Sequence, residues 1–476
     1  MLDRKTINPN VLNASYAVRG ELAIKAESLR NDLKEGKKYP FDSVIHANIG
    51  NPQQLDQKPL TFFRQVVSLC EYPALLDESN SEAISKLYAP DAIERAKTLL
   101  SEIGSVGAYS QSTGVPYIRQ HVADYITRRD GDKVPKASVD DIFLVAGASA
   151  GVHLLMQLMI ASNDVGIMIP IPQYPLYTAA LALYNGTPVP YYLDEESGWS
   201  TNIDSVKSAY DDARKNGKEP RAIVVINPGN PTGGSLEEKD IKAVLQFCKE
   251  KNIVCMADEV YQANVFPDSP PFVSFRKVLL SNKDLEGVQL ASLHSTSKGM
   301  VGECGQRGGY LELLNFGKEA REELYKVQSI NLCAPLVGQI VVDCMVNPPI
   351  KGEPSYEQFK KEEDGIFSTL QTRAMKLYET FQKLEGFECQ RPQGAMYLFP
   401  QLKLPQKAID AAKEKGKSPD AFYCMALLEQ TGICVVPGSG FGQKEGTVHF
   451  RTTFLAPGDF GERMEKFHQE FMKKYT

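Results

Sequence analysis

Basic charge, regularly spaced cysteines and long apolar runs are all scarce in this chain. Lysine and arginine number 53 against 59 aspartate and glutamate, a formal net charge of -6. That balance provides no basic field for a polyanion, so neither nucleic acid nor an anionic membrane surface is an expected partner. The nine cysteines are scattered, odd in number and without a CxxC pair, which argues against a disulfide framework and a zinc site and fits a reducing compartment. The six histidines show no ligand spacing and no HExxH, so no metal is expected. The longest apolar stretch, Phe143 to Ile160, is broken by Gly147, Ser149, Gly151 and His153 and reads as a strand followed by a helix, not a membrane span. The first residues, MLDRKTINPN, have neither the apolar core of a secretory signal nor the acid-free, Arg- and Ser-rich run of a transit peptide. The cytosol is the expected compartment, with the mitochondrial matrix as the alternative if a presequence is missing from this chain. Internal repeats and low-complexity tracts are absent too.

What the chain does have is length, 476 residues, and 42% hydrophobic residues, enough for two or three domains. Short apolar runs alternate with helical patterns: Asp141 to Ala146, Val165 to Pro170, Ala222 to Ile226, Ile253 to Ala257, Val288 to His294 and Gly309 to Leu314. Near-continuous apolar strands separated by helices indicate an α/β fold with a mainly parallel sheet covered on both faces. After Asn347 the texture changes. A linker, NPPIKGEPSYEQ, leads into a polar helix from about Phe359 to Leu384, then shorter strands such as Ala395 to Phe399 and Val448 to Phe454. The expected organisation is an N-terminal arm, with a helix over Glu21 to Lys34, that belongs in part to a small domain (1–60), a large domain (61–347) and a smaller α+β C-terminal domain (348–476).

In a sheet of this kind ligands sit where the carboxyl ends of strands meet their loops. After Ala146 comes GASAG, whose free amides at a helix start suit a phosphate, although a tight turn is the plainer reading of that string alone. After Ile226 comes NPGNPTGG, after Ala257 DEVYQ, and after His294 STSKG, with Arg307 following in GECGQRGGY. A single lysine is ordinarily a solvated surface charge, and a strand-end acid is as often a helix cap. Four strand-end loops in order, however, supply a phosphate cradle, an amide, an acid with a nearby phenol, and a lysine with an arginine. Together they meet the needs of pyridoxal 5'-phosphate (PLP): an amine for its aldehyde, an anion for its pyridine nitrogen, donors for its phenolic oxygen and a grip on its phosphate.

The same segments, with YAVRG (16–20), ANIGNPQQ (47–54), GAYSQSTGVPYIR (107–119), IPIPQYPLY (169–177), PQGAMYLFP (392–400), VPGSGFGQ (436–443) and RTTFLAPG, carry a resemblance over nearly the whole chain. The chain resembles the fold-type I, class I PLP-dependent aminotransferases and, within them, the eukaryotic alanine aminotransferases as a group. The resemblance implies that Lys298 binds PLP covalently as a Schiff base and that Asp258 pairs with the protonated pyridine nitrogen. It implies that Tyr261 and Asn230 hydrogen-bond the phenolic oxygen and that Tyr174 stacks on the ring. Ala148, Ser149, Ser295 and Arg307 would hold the phosphate, with Ser297 as a further candidate. Tyr109 would reach the phosphate from a neighbouring subunit, making the protein a homodimer with shared sites. Arg451, with Asn230, would take the substrate α-carboxylate through a two-pronged contact, and Gly50 would add a backbone contact. An exposed arginine on an edge strand and a glycine in a turn are the plainer readings of those two positions.

The implied reaction is reversible transfer of the amino group of alanine to 2-oxoglutarate, in ping-pong order, with Lys298 as the base. Three alternatives use overlapping residues: another PLP reaction such as elimination or decarboxylation, a glyoxylate-preferring aminotransferase, and a silent PLP-binding sensor. The last normally carries a DNA-binding module, and the short N-terminal arm shows none. The second arginine that aspartate-specific members bring is missing, which agrees with a small apolar donor. Among the remaining residues, His294 reads as a packed strand-end histidine, and Cys304 and Cys333 as ordinary thiols.

Overall fold

The apolar runs form strands of one sheet, and alternation along each strand shows how it is covered. In the computed structural model, which describes residues 2–16, 18, 20–456 and 459–476, the strands are β1 (Ile142–Val145), β2 (Val165–Ile171), β3 (Thr187–Asp194), β4 (Ser200–Thr201), β5 (Glu219–Ile226), β6 (Val254–Asp258), β7 (Leu290–Ser295) and β8 (Gly309–Leu314). Ala17 and Arg19 of YAVRG, and Pro457 and Gly458 at the end of RTTFLAPG, lie outside the described residues. The sheet order is β1–β8–β7–β6–β5–β2–β3–β4. Pairs β2/β3, β2/β5, β5/β6 and β6/β7 are parallel. β8 runs antiparallel to both its neighbours, β1 and β7, and β4 antiparallel to β3. Successive strand side chains point to opposite faces. Cys255 and Ala257 of β6 accordingly join the core under helices Glu238–Lys251 and Phe275–Ser281, while Val254 and Met256 join the one under Ala148–Met159 and Leu176–Tyr184.

β3 was not among the expected strands. Its TPVPYYLD sequence carries Pro188 and Pro190, which remove two ladder donors; it pairs fully with β2 and on its other side only with the two-residue β4. Prolines are tolerated at such a near-edge position, where the missing N–H groups cost little.

A second core gathers residues from both ends of the chain. Leu22, Ala26 and Leu29 of the helix Glu21–Lys34 pack with Phe387, Tyr397, Tyr423, Phe450 and Phe471. Ile45–His46 pairs in parallel with Ile433–Cys434. Phe450–Thr453 lies between Tyr397–Leu398 and Val436–Pro437 in a three-stranded antiparallel sheet. The helix Tyr356–Gln382 serves both bodies: Phe359 belongs to the core beneath the large sheet, and Leu370, Ala374, Leu377 and Phe381 belong to the second. Among the described residues no helix is long and apolar enough to cross a membrane.

Candidate active site

The carboxyl ends of β1, β2, β5, β6 and β7 open on one edge of the sheet. Because β8 runs the opposite way, its beginning lies at that same edge, and Arg307, two residues before it, is brought back beside Ser149. The loops at this edge, with Gly50 and the strand Phe450–Thr453 above them, enclose a cavity of about 490 Å³. A groove of about 980 Å³ lies elsewhere, between residues 55–61 and the helix Tyr356–Gln382. Its Glu362 is already engaged by the Thr61 amide and hydroxyl, and none of the residues expected to hold the chemistry lines it. The smaller cavity is the chemical one.

Eleven of the twelve expected site residues line it: Gly50, Ala148, Ser149, Tyr174, Asn230, Asp258, Tyr261, Ser295, Lys298, Arg307 and Arg451, with the further candidate Ser297. Tyr109 does not; it stands 78% exposed on the surface. Cys304 also lines the cavity, its thiol 2.9 Å from the Ser297 carbonyl oxygen. His294 is a packed residue: it lies edge-on to Tyr310 at 5.6 Å, and burial pushes its imidazole down to about 3.

At one end, Ala148 and Ser149 begin the helix Ala148–Met159, whose first amides have no partners within the helix. Arg307 crosses this end. Its Nη2 donates to the Ala146 carbonyl at 2.9 Å and to Ser149 Oγ at 3.3 Å, and its Nη1 to the Cys304 carbonyl at 2.9 Å. Arg307 sits in the left-handed region, at φ 57°, a conformation that costs a non-glycine residue about 1 kcal/mol or more and clusters at functional sites. Gly147, at φ 79°, lies directly beneath the guanidinium, and a Cβ there would overlap Nη2. Cation, free amides and hydroxyls form a cradle for a phosphate dianion.

Asp258 ends β6 in the floor of the cavity. Its Oδ2 accepts from the Tyr177 hydroxyl at 2.7 Å and its Oδ1 from the Val260 amide at 3.4 Å. Burial pushes its carboxyl up, against the opposing effect of those two donors. A cation brought against it, such as a protonated pyridine nitrogen, would reverse that shift and keep the carboxylate charged. Tyr261 reaches the Tyr397 hydroxyl at 3.3 Å. Tyr174 donates to or accepts from the Tyr16 hydroxyl at 2.8 Å.

Lys298 projects between Asp258's loop and the second body, its ammonium donating to the Gly50 carbonyl. Gly50 has to be glycine at this close approach, since a Cβ would overlap the Tyr397 hydroxyl. Arg451 is 1% exposed, which removes the edge-strand alternative. Its guanidinium lies between the Tyr397 and Phe441 rings, 4.1 and 4.6 Å from their centroids. Nη1 donates to Asn230 Oδ1 at 3.0 Å and Nη2 to the Asn48 carbonyl, while Nε is buried without a partner. An unpaired N–H of a buried guanidinium, in the wall of a cavity that also holds an amine, suits a carboxylate ligand.

Two tyrosines that hold this site together were not singled out in the sequence, although both lie in segments that carry the resemblance: Tyr177, which orients Asp258, ends IPIPQYPLY, and Tyr397, which touches Arg451 and Tyr261, is in PQGAMYLFP. On Tyr397 burial opposes ionisation, yet Lys298, Arg451 and the Tyr261 hydrogen bond outweigh it and lower its pKa.

Glu259, next to Asp258, turns away from the cavity. Its Oε1 accepts from the Phe275 amide at 2.8 Å, its Oε2 is buried without a partner, and burial pushes its carboxyl up to about 7, against the nearby Arg129. The folded protein thus holds this proton more tightly than the unfolded chain. The resulting stability is complete below about pH 4.5 and is lost as pH rises toward 7, about 3 kcal/mol in all. Glu259→Gln is therefore expected to flatten this component. The difference in melting temperature between variant and wild type should shift in favour of the variant from pH 5 to pH 7.5, measured by calorimetry; a difference independent of pH would refute the assignment.

Comparison with known proteins places this geometry in a family. The family described as "Aminotransferase class I and II" matches residues 65–465, and the chain belongs to it. It is 52% identical, over all of its own length and 81% of the relative's, to "Alanine aminotransferase, mitochondrial" of Saccharomyces cerevisiae. It is equally 52% identical, over 95% of the relative, to "Inactive alanine aminotransferase" of the same organism. A "Glutamate--glyoxylate aminotransferase 2" of Arabidopsis thaliana is 48% identical over 97% of its length. Among solved structures, an alanine aminotransferase from Pyrococcus furiosus superposes with a TM-score of 0.74 at 24% identity, covering 98% of this chain and 99% of that one; at that identity the likeness concerns the fold.

Proposed function

We propose that this chain is a PLP-dependent alanine aminotransferase, exchanging the amino group between L-alanine and 2-oxoglutarate to give pyruvate and L-glutamate, reversibly and in ping-pong order. The observation that carries the reading is one cavity lined together by Lys298, the buried carboxylate of Asp258 and the buried guanidinium of Arg451, whose Nε has no protein partner. PLP, when bound, supplies an electron sink for the pair left as the substrate's α-hydrogen departs.

The chain's residues supply the rest. Lys298 is the covalent anchor and, once its amine is free, the base placed to take the α-proton. Asp258, oriented by Tyr177, holds a proton at the pyridine nitrogen. Arg307, Ser149, Ser295, Ser297 and the amides after Gly147 hold the phosphate. Asn230 presents its oxygen to Arg451, which leaves its Nδ2 to donate, with Tyr261, to the phenolic oxygen. Tyr174 forms the ring wall. Arg451 takes the α-carboxylate, and Gly50 supports it from the backbone.

Tyr109, exposed and remote from its own chain's cavity, fits a homodimer in which it completes the partner's phosphate site; sedimentation of the holoenzyme as a monomer would remove that part. The division at about residues 60 and 347 belongs to the same reading, with the helix Tyr356–Gln382 shared by the two bodies. The relative named as mitochondrial favours the matrix over the cytosol, which subcellular fractionation tests.

The function is tested by a panel of amino donors against 2-oxoglutarate, pyruvate and glyoxylate, with products identified. Alanine with 2-oxoglutarate is expected to give pyruvate and glutamate at the highest kcat/KM. Absence of pyruvate would overturn the activity, a clear preference for glyoxylate would reassign the acceptor, and release of ammonia in place of amino transfer would point to elimination.

A further inference from the structure

Arg451 has a neighbour two residues earlier on the same strand region whose contacts run across the boundary between the two bodies. His449 is 2% exposed, and its Nε2 lies 3.0 and 3.1 Å from the two carboxylate oxygens of Glu195. Glu195 follows directly on Asp194, the last residue of β3, and so belongs to the large sheet; His449 leads into Phe450–Thr453 of the second body. The imidazole is clamped on its other sides. It stacks on Phe399 at 4.8 Å, nearly parallel, and meets the edge of Trp199 at 5.8 Å. Its Nδ1 is 3.2 Å from Gln443 Oε1, which also accepts from the His449 amide at 2.9 Å.

That second contact fixes the orientation of the Gln443 amide, whose oxygen faces Nδ1, while Nε2 faces the Glu195 carboxylate. The ring is held between two fixed acceptors. Gln443 in turn ends the segment that holds Phe441 against the Arg451 guanidinium. Trp199, on the Glu195 side, lines a small cleft together with Gly229 and Asn230, and Asn230 is the residue that Arg451 grips at 3.0 Å. The strand carrying Arg451 is thus tied to the large sheet twice, once inside the cavity and once on its outer wall.

We infer that the His449–Glu195 pair is a positioning latch that fixes the Arg451 strand against the large sheet and thereby sets the affinity for the substrate carboxylate, without touching substrate. The inference rests on the reading of Arg451 as the carboxylate-binding residue. A latch of this kind acts on binding in every half-reaction alike, because each substrate presents the same carboxylate, whereas the proton transfer at Lys298 is left alone. Removing one partner leaves the other buried or half-buried polar group without its hydrogen-bond partner at the boundary, which weakens the fixed arrangement of the strand.

The test compares wild-type holoenzyme with Glu195→Gln, His449→Gln, the double variant, and Arg451→Lys as the reference for the underlying reading. KM and kcat are measured for alanine and for pyruvate. Equilibrium binding of 2-methylalanine, which has no α-hydrogen to lose, is followed by the visible absorption of the cofactor. Both latch variants are expected to raise KM for each substrate, and Kd for 2-methylalanine, by a common factor of about 10, with kcat within about two-fold of wild type. The double variant should be no worse than the singles, because both remove the same contact. An unchanged KM and Kd, a fall in kcat alone, or effects that multiply in the double variant would overturn the latch. If Arg451→Lys also left KM and Kd unchanged, the carboxylate reading itself would fall; if it raised them while the latch variants did not, only the latch would. Should His449→Gln fail to fold, Glu195→Gln, an isosteric change at a side chain 26% exposed, decides the matter.

Discussion

Lys298→Ala is expected to abolish transamination, lowering the rate by at least about 10⁴-fold, while the protein still folds and still retains PLP non-covalently. The size follows from the two roles that one amine combines. Loss of a general base alone costs roughly 10²–10⁴-fold, and here the covalent anchor disappears as well. The other cations lining the cavity are Arg307 and Arg451, and a guanidinium does not give up its proton to serve as a base. The physical readout accompanies the kinetic one. Borohydride reduction of the wild-type holoenzyme should leave the cofactor fixed to the peptide bearing Lys298, and the same treatment of the variant should leave none. Labelling of another lysine, or transamination surviving in the variant, would sink the assignment.

The second large effect is at the other wall. Arg451→Lys keeps the positive charge but loses the planar fork and its fit between Tyr397 and Phe441. Each charge-assisted hydrogen bond is worth about 1.5–3 kcal/mol, so kcat/KM for alanine and for the oxo acids should fall by about 10²-fold or more, mainly through KM. The visible absorption of the bound cofactor should be nearly unchanged, since Asp258, Tyr261 and Arg307 remain. A variant with normal KM would show that the carboxylate is held elsewhere.

Much of this site was legible in the sequence because fold-level physics concentrates it. Strands buried on both faces are the most readable elements of a chain, and their ends are where loops converge, so Asn230, Asp258 and Lys298 could be placed at one edge before any coordinates. The helix Glu21–Lys34, expected within the polar N-terminal arm, forms over those residues. What escaped depends on information that periodicity does not carry. The direction of β8 is invisible in GYLELL, since a strand buried on both faces reads the same whichever way it runs; yet that reversal brings Arg307 beside Ser149. β3 escaped because its prolines argue against a strand unless its place near the sheet edge is known. Tyr177 and Tyr397 escaped as individual residues because a buried tyrosine's importance lies in where its hydroxyl points, and that is decided by residues 81 and 136 positions away. Arg451 went the other way: its alternating neighbours suggested an exposed edge strand, and only the three-dimensional packing of Tyr397 and Phe441 around it shows why it is buried.

The helix Tyr356–Gln382 links the fates of the two bodies. Its 27 residues divide their buried face between two cores, with Phe359 stacked on Phe63 at one end and Phe381 on Phe387 at the other. Were either body to unfold alone, about half of this helix would lose its apolar contacts, and isolated helices of about 12–15 residues are only marginally stable in water. The surviving body would then inherit a frayed terminus and an open flank in its own core. The protein is in this sense a single cooperative unit, and a substitution in the body that carries Arg451 is felt as lost stability beneath the strands that carry Asp258 and Lys298.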